Sequence, residues 1–219
     1  MKIFIDLGAF NGDTLEMALE HHPDFDKFYA FEPFSRNFEE LKRTFAGRKN
    51  VMLYQAAADV RTGKSKLYLQ EASHLYPHTG HTLLGQKADV SQEAFEVVDC
   101  IDFSQFVIDT FHLSDTIILK MDIEGMEYDL LSKMIQDGSI KYIARIYCEW
   151  HHTRAKIGKK RHKELIKQLR RLGFDLSGVN RRDEFSRVLN HLTEGKGGSG
   201  VRALTRLVLR LKSRAKDRS

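Results

Sequence analysis

Phe4-Ile5-Asp6-Leu7-Gly8-Ala9-Phe10-Asn11-Gly12-Asp13-Thr14 sets the end of an apolar strand against a glycine turn and the start of a helix. Gly8 lets the backbone turn tightly, and Gly12 lets the helix start sit close to a ligand. Exposed N–H groups in such a turn attract an anionic group, with help from the helix dipole. The spacing is not the Gly-x-Gly-x-x-Gly of dinucleotide sites, because Phe10 occupies the middle position. Its bulk crowds out a pyrophosphate and leaves room for a smaller carboxylate. Glu32 follows Asp6 by 26 residues and ends the next strand. Doubly wound nucleotide folds hold a carboxylate there against ribose hydroxyls.

Outward from this turn the chain alternates strands and helices. Lys2–Leu7, Lys27–Phe31 and Val51–Ala58 read as strands, with helices over Asp13–His22 and from Ser35 to about Ala46. Lys64–Leu69 alternates like an exposed strand and pairs as a hairpin with Phe95–Ile101. Thr116–Asp122 reads as a continuous apolar run, the mark of a strand buried on both faces, and Tyr142–Glu149 as another buried strand. Helices over Gly125–Ile135 and about Lys160–Leu172 follow them. This pattern implies right-handed βαβ units and a doubly wound, mainly parallel α/β sheet with helices on both faces. Residues 71–94, with His74, His78 and His81, read as a long polar loop over the strand ends. One or two terminal strands are expected within 174–193.

The 219 residues suit one α/β domain, here placed at 1–193, followed by a flexible Gly-rich linker at 194–200 and a basic amphipathic tail at 201–219. The net charge of +5 belongs to the tail, which carries seven Lys/Arg and one acid and leaves 28 basic and 29 acidic residues in the body. A near-neutral body lacks the electrostatic footprint of a nucleic-acid groove. No apolar run approaches the roughly 18 residues of a membrane-spanning helix, and Met1–Asp6 does not open a signal peptide. Cys100 and Cys148 form no disulfide framework, so both thiols are expected free, in the cytoplasm. In the tail, Val201, Leu204, Leu207, Val208 and Leu211 fall on one stripe between arginines. Such a stripe suits peripheral contact with anionic lipid, docking on a partner enzyme, loose RNA binding or disorder; lipid contact is the favoured reading.

Several blocks together resemble the FkbM-type methyltransferase family. They are Asp6-Leu7-Gly8-Ala9-x-x-Gly12, Phe31-Glu32-Pro33, Gln55-Ala56-Ala57-Ala58-Asp59 with Gly63, Leu119–Glu127, and Glu149-Trp150-His151. The resemblance covers about residues 3–152. It implies the class I methyltransferase fold, a seven-stranded Rossmann-like sheet, and S-adenosyl-L-methionine as cofactor. It implies that Asp6, Gly8, Ala9, Asn11, Gly12 and Thr14 surround the methionine part, with Asp122 also at the cofactor. Glu32 would hold the ribose hydroxyls, and Ala57 and Asp59 would border the adenine. The activity implied is methylation of a hydroxyl, by family habit that of a sugar in a surface glycan. Members often carry a segment before the first strand; here the cover over the site is expected to come from elsewhere.

Asp122 and Glu124 follow one buried strand, and Glu149 and His151 the next. Ligands of open parallel sheets sit beyond those strand ends. Methyl transfer to a hydroxyl needs alignment of donor and acceptor and a base near the acceptor proton. His151 is suited to that near neutral pH, with Glu149 or Glu124 orienting it or acting as the base. Glu124 and Glu127 alternatively serve the helix start, where the dipole favours acids. Two carboxylates and a histidine would also suit Mg²⁺ or a transition ion, but the resemblance requires no metal and none is assigned. The chain's only prolines, Pro23, Pro33 and Pro77, exclude the Pro-Pro motif of nucleic-acid amino-methyltransferases. Methylation of a non-sugar small molecule or of nucleic acid, or a non-catalytic cofactor-binding adaptor at a membrane surface, remain the competing readings.

Overall fold

The computed structural model describes residues 1–70, 80–87 and 90–176. In chain order run β1 (Lys2–Leu7), α1 (Asp13–His21), β2 (Lys27–Phe31), α2 (Ser35–Thr44), β3 (Val51–Tyr54), β4 (Ala57–Asp59), β5 (Gly63–Gln70) and β6 (Val90–Asp102). There follow α3 (Phe103–Thr110), β7 (Thr116–Met121), α4 (Glu127–Asp137), a 3-10 turn (Ser139–Tyr142), β8 (Ile143–Cys148) and α5 (Lys159–Arg171).

The central sheet has five strands in the order β3-β2-β1-β7-β8, all paired in parallel. Period-two alternation along β1 divides the core between its faces. Ile3, Ile5 and Leu7 pack with Phe103 and Val107 of α3, Leu130 of α4 and Leu165 of α5. Phe4 packs on the other face with Leu15 of α1 and Phe38 and Leu41 of α2. Both faces are therefore covered, as a parallel sheet requires.

A second sheet, in the order β4-β6-β5, carries the β5–β6 antiparallel hairpin. The strand expected over Val51–Ala58 divides here: β3 ends at Tyr54 in the central sheet, and β4 pairs with β6 in the second. Only Gln55 and Ala56 separate the two strands, with no glycine or proline between them, so in sequence they read as one long strand. The expected loop at 71–94 is shorter, because Val90 already pairs with Gln70. Helix α3 was not anticipated; Asp102 caps it by accepting the Gln105 N–H at 3.1 Å.

Five strands of the expected seven-stranded sheet lie in the described residues. The strands expected within 174–193, the linker at 194–200 and the tail at 201–219 fall almost wholly outside them. Among the described residues, no helix is long and apolar enough to cross a membrane.

Candidate active site

The carboxyl ends of β1, β2 and β7 open into a cavity lined by Gly8, Phe10, Glu32, Ala57, Asp122 and Glu124, among others. Gly8 adopts φ +77°, and a Cβ there would stand 2.0 Å from the Asp122 carbonyl oxygen. The ends of β1 and β7 thus approach so closely that only glycine fits. Phe10 (φ 51°) and Glu124 (φ 54°) are both left-handed without being glycine. Each such residue costs about 1–2 kcal/mol, and strain of this kind collects at functional sites.

Four N–H groups of the turn, those of Gly8, Ala9, Phe10 and Gly12, are occupied within the fold. Those of Gly8 and Ala9 donate to the Phe31 carbonyl at 3.0 and 3.1 Å, and that of Gly12 to the Ala9 carbonyl at 2.8 Å. Phe10 N–H donates to Glu32 Oε2 at 2.8 Å, and Phe34 N–H to Oε1 at 2.9 Å. The turn thus fixes the Glu32 carboxylate at the cavity through the Phe10 N–H. Burial pushes the Glu32 carboxyl up to about 7, against the two backbone hydrogen bonds, Asn37 and the more distant Lys120. Each carboxylate oxygen keeps acceptor capacity for a ligand hydroxyl.

Asp6 does not line the cavity. It is fully buried opposite Lys120 in register and pairs with its Nζ at 2.8 Å. The same Nζ donates to the Gly8 carbonyl at 2.9 Å. Asp6 thus holds the turn through Lys120, a residue not anticipated as part of the site; a lysine inside an otherwise apolar strand was the signal for it. Burial raises the Asp6 carboxyl, and Lys120 opposes that rise. Gly12 makes room for a neighbouring helix, since a Cβ would strike Phe45 and Leu41. Ala9 packs in the core, Asn11 bonds Asp13, and Thr14 is buried in the first turn of α1. Asp59 accepts the Val60 N–H at 2.7 Å and faces Cys100, whereas Ala57 and Ala58 reach the cavity.

At the other end of the cavity the chemical candidates converge. His151 is buried, and its Nδ1 lies 2.9 Å from Glu127 Oε1. Its Nε2 faces Asp122 at 3.6 Å and Glu124 and Glu149 at 3.4 Å each. Glu127 also accepts the N–H groups of Ile123 at 3.1 Å and Gly125 at 3.0 Å. This first-turn acid therefore serves both its own helix start and the histidine. Burial disfavours charge on His151, but the hydrogen bond to Glu127 and the Glu149 and Glu124 carboxylates facing its other nitrogen outweigh that and lift it to about 11. The imidazole thus holds a proton at neutral pH instead of standing ready to take one. Burial, with Glu149 and Glu124 adding to it, pushes Asp122 up to about 7 while Lys120 and His151 pull against it.

Residues 80–87 supply the cover. Thr82 pairs with Tyr68 of β5, and its hydroxyl donates to the Glu124 carbonyl at 2.8 Å. The buried Lys87 ammonium lies 2.8 Å from Glu124 Oε2. His81 lines the cavity against Phe34, 4.5 Å between ring centroids, and its Nδ1 accepts the Gln70 N–H at 3.0 Å. His74 and His78 lie outside the described residues.

No curated protein matches the chain. A crystal structure of an FkbM methyltransferase from Methylobacillus flagellatus KT is similar at 16% identity and a TM-score of 0.47, over 76% of this chain and 38% of that one. This chain thus spans well under half the length of that protein. The model of the Methyltransferase FkbM domain matches residues 6–176, more than three quarters of the chain. With the model matched over that much of its length, the chain belongs to the FkbM methyltransferase domain family.

Proposed function

We propose that the protein is an S-adenosyl-L-methionine-dependent O-methyltransferase acting on a hydroxyl, that of a sugar in a surface glycan. The observation that carries this reading is one cavity with Glu32 and the Gly8 turn at one end and the Asp122–Glu124 segment at the other. The cofactor, when bound, supplies an activated methyl group. The residues fit it: Gly8 removes the side chain that would block close approach, and Glu32 offers a fixed carboxylate to ribose hydroxyls. Ala57 and Ala58 leave an apolar wall for the adenine.

Asp122, Glu124, Glu149 and His151 form the acceptor side. Glu124 is tied to Lys87, so Asp122 and Glu149 are placed to orient the acceptor hydroxyl and accept its proton. His151, anchored by Glu127, holds the two carboxylates in position. The cover at 80–87 excludes water from that end. The tail at 201–219 would keep the enzyme at an anionic membrane where lipid-linked glycans are assembled. Liposome co-sedimentation of the full chain against one ending at Gly200 tests that part.

Isothermal titration of the full chain with S-adenosyl-L-methionine and S-adenosylhomocysteine, with NAD as control, tests the cofactor. Micromolar binding of the first two without NAD is expected; no binding by folded protein would overturn the assignment. Methyl transfer to glycan acceptors, with the product mapped to an oxygen, then tests the chemistry.

A further inference from the structure

We propose that Asp122, Glu149 and His151 bind a divalent first-row transition cation. One ligand atom from each lies within 4.8 Å of the others. His151 Nε2 is the second observation. Its side chain is only 1% exposed, the nitrogen makes no hydrogen bond, and it points into the carboxylates. Its separations of 3.6 Å from Asp122 and 3.4 Å from Glu149 exceed ordinary hydrogen-bond lengths. They match the edge of a tetrahedron, about 3.4 Å for ligands about 2.1 Å from a central ion.

The surroundings have the form of a metal site. Glu127 holds Nδ1 at 2.9 Å and is itself fixed by two backbone N–H groups. A carboxylate behind a histidine in this way directs the other ring nitrogen at a metal. Glu124 is the nearby carboxylate left out, because its Oε2 is taken by Lys87. Asp122 and Glu149 are 34% and 31% exposed in their side chains, so an ion can enter past them. Asp122 also lines the cavity, which puts the open coordination positions on the acceptor side.

One imidazole with two carboxylates suits Zn²⁺, Mn²⁺, Co²⁺ or Fe²⁺ better than the all-oxygen preference of Mg²⁺ and Ca²⁺. An acceptor hydroxyl on the ion becomes a better nucleophile. The binding inference rests on these residues alone and not on the methyl-transfer reading.

The test is a titration of chelator-treated full-length protein with Co²⁺, followed by the visible absorption of the bound ion and by competition with Zn²⁺. One Co²⁺ per chain, displaced by Zn²⁺, is expected. Asp122→Asn and Glu149→Gln preserve shape at partly exposed positions and should each weaken binding by on the order of 100-fold or more. Glu127→Gln should weaken it by roughly 10–100-fold through the histidine. Circular dichroism and the urea midpoint confirm that each variant is folded. No stoichiometric uptake by the folded wild type overturns the proposal. Uptake unchanged in both Asp122→Asn and Glu149→Gln overturns it equally, by placing the ion elsewhere. Titration of the same samples with S-adenosylhomocysteine keeps failure of this site distinct from failure of the cofactor reading.

Discussion

Gly8→Ala, compared with Gly47→Ala, separates close packing from backbone strain. The two glycines have nearly the same conformation, φ +77° and +80°, but a Cβ at Gly47 would meet nothing within 4 Å. Gly47→Ala should therefore cost only the left-handed penalty, about 1 kcal/mol. At Gly8 the new carbon would stand 2.0 Å from the Asp122 carbonyl oxygen, where ordinary contact begins near 3.4 Å. The ends of β1 and β7 must separate by more than an ångström. That movement strains the Asp122 N–H bond to the Leu7 carbonyl and the Lys120 bond to the Gly8 carbonyl, both 2.9 Å. Losing a neutral and a charged hydrogen bond costs roughly 1 and 2 kcal/mol, so Gly8→Ala should destabilise by about 4 kcal/mol in all. Urea unfolding with matched m-values measures the difference, and S-adenosylhomocysteine titration should show lost binding for Gly8→Ala alone. Equal stability losses at the two positions would refute the close approach of the two strand ends.

Three further outcomes are expected. The Glu32 carboxyl titrates near 7 when folded against an ordinary 4.5, so the folded state binds its proton more tightly and stability falls as pH rises through that window; Glu32→Gln should remove that fall in urea unfolding. S-adenosylhomocysteine affinity should rise over the same range as the carboxylate forms, and an affinity flat across neutral pH would count against ribose recognition by Glu32. Lys87→Met leaves the Glu124 carboxylate without its ammonium, which should cost roughly 3 kcal/mol and speed hydrogen exchange across residues 80–87; unchanged exchange would show that this ion pair does not hold the cover. Cys100, its thiol lifted to about 11 by burial with Asp59 adding to it, and the buried Cys148 should both resist a thiol reagent until unfolding, a point that a colorimetric thiol count decides.

The strands of the central sheet were legible because their apolar runs are short and end at turn residues: Leu7 before Gly8, and Phe31 before Glu32-Pro33. The division after Tyr54 was not, since only Gln55 and Ala56, and no glycine or proline, separate the two strands. A carboxylate such as Asp6 or a glycine such as Gly12 beside a turn looks alike in sequence whether its neighbour is a ligand or the protein. Only the structure shows Asp6 against Lys120 and Gly12 against Phe45. The gathering of Asp122, Glu124, Glu149 and His151 followed from topology, because adjacent parallel strands bring their carboxyl ends together. The charge state of His151 did not, as it depends on Glu127 reaching back from the next helix.

The strand order also governs how the chain is made. β1 precedes β7 by more than a hundred residues yet lies beside it in the middle of the sheet, and Lys2 finds its register partner only in Thr116. At a synthesis rate of roughly 5–20 residues per second, that edge waits on the order of ten seconds for β7. Until then β1 offers unpaired backbone groups and the side chains of Ile3, Ile5 and Leu7 to any neighbouring chain. The interval before Lys120 arrives to meet Asp6 is thus the point at which a nascent chain is most open to aggregation, and chaperone supply during synthesis should affect yield more than the stability of the finished sheet.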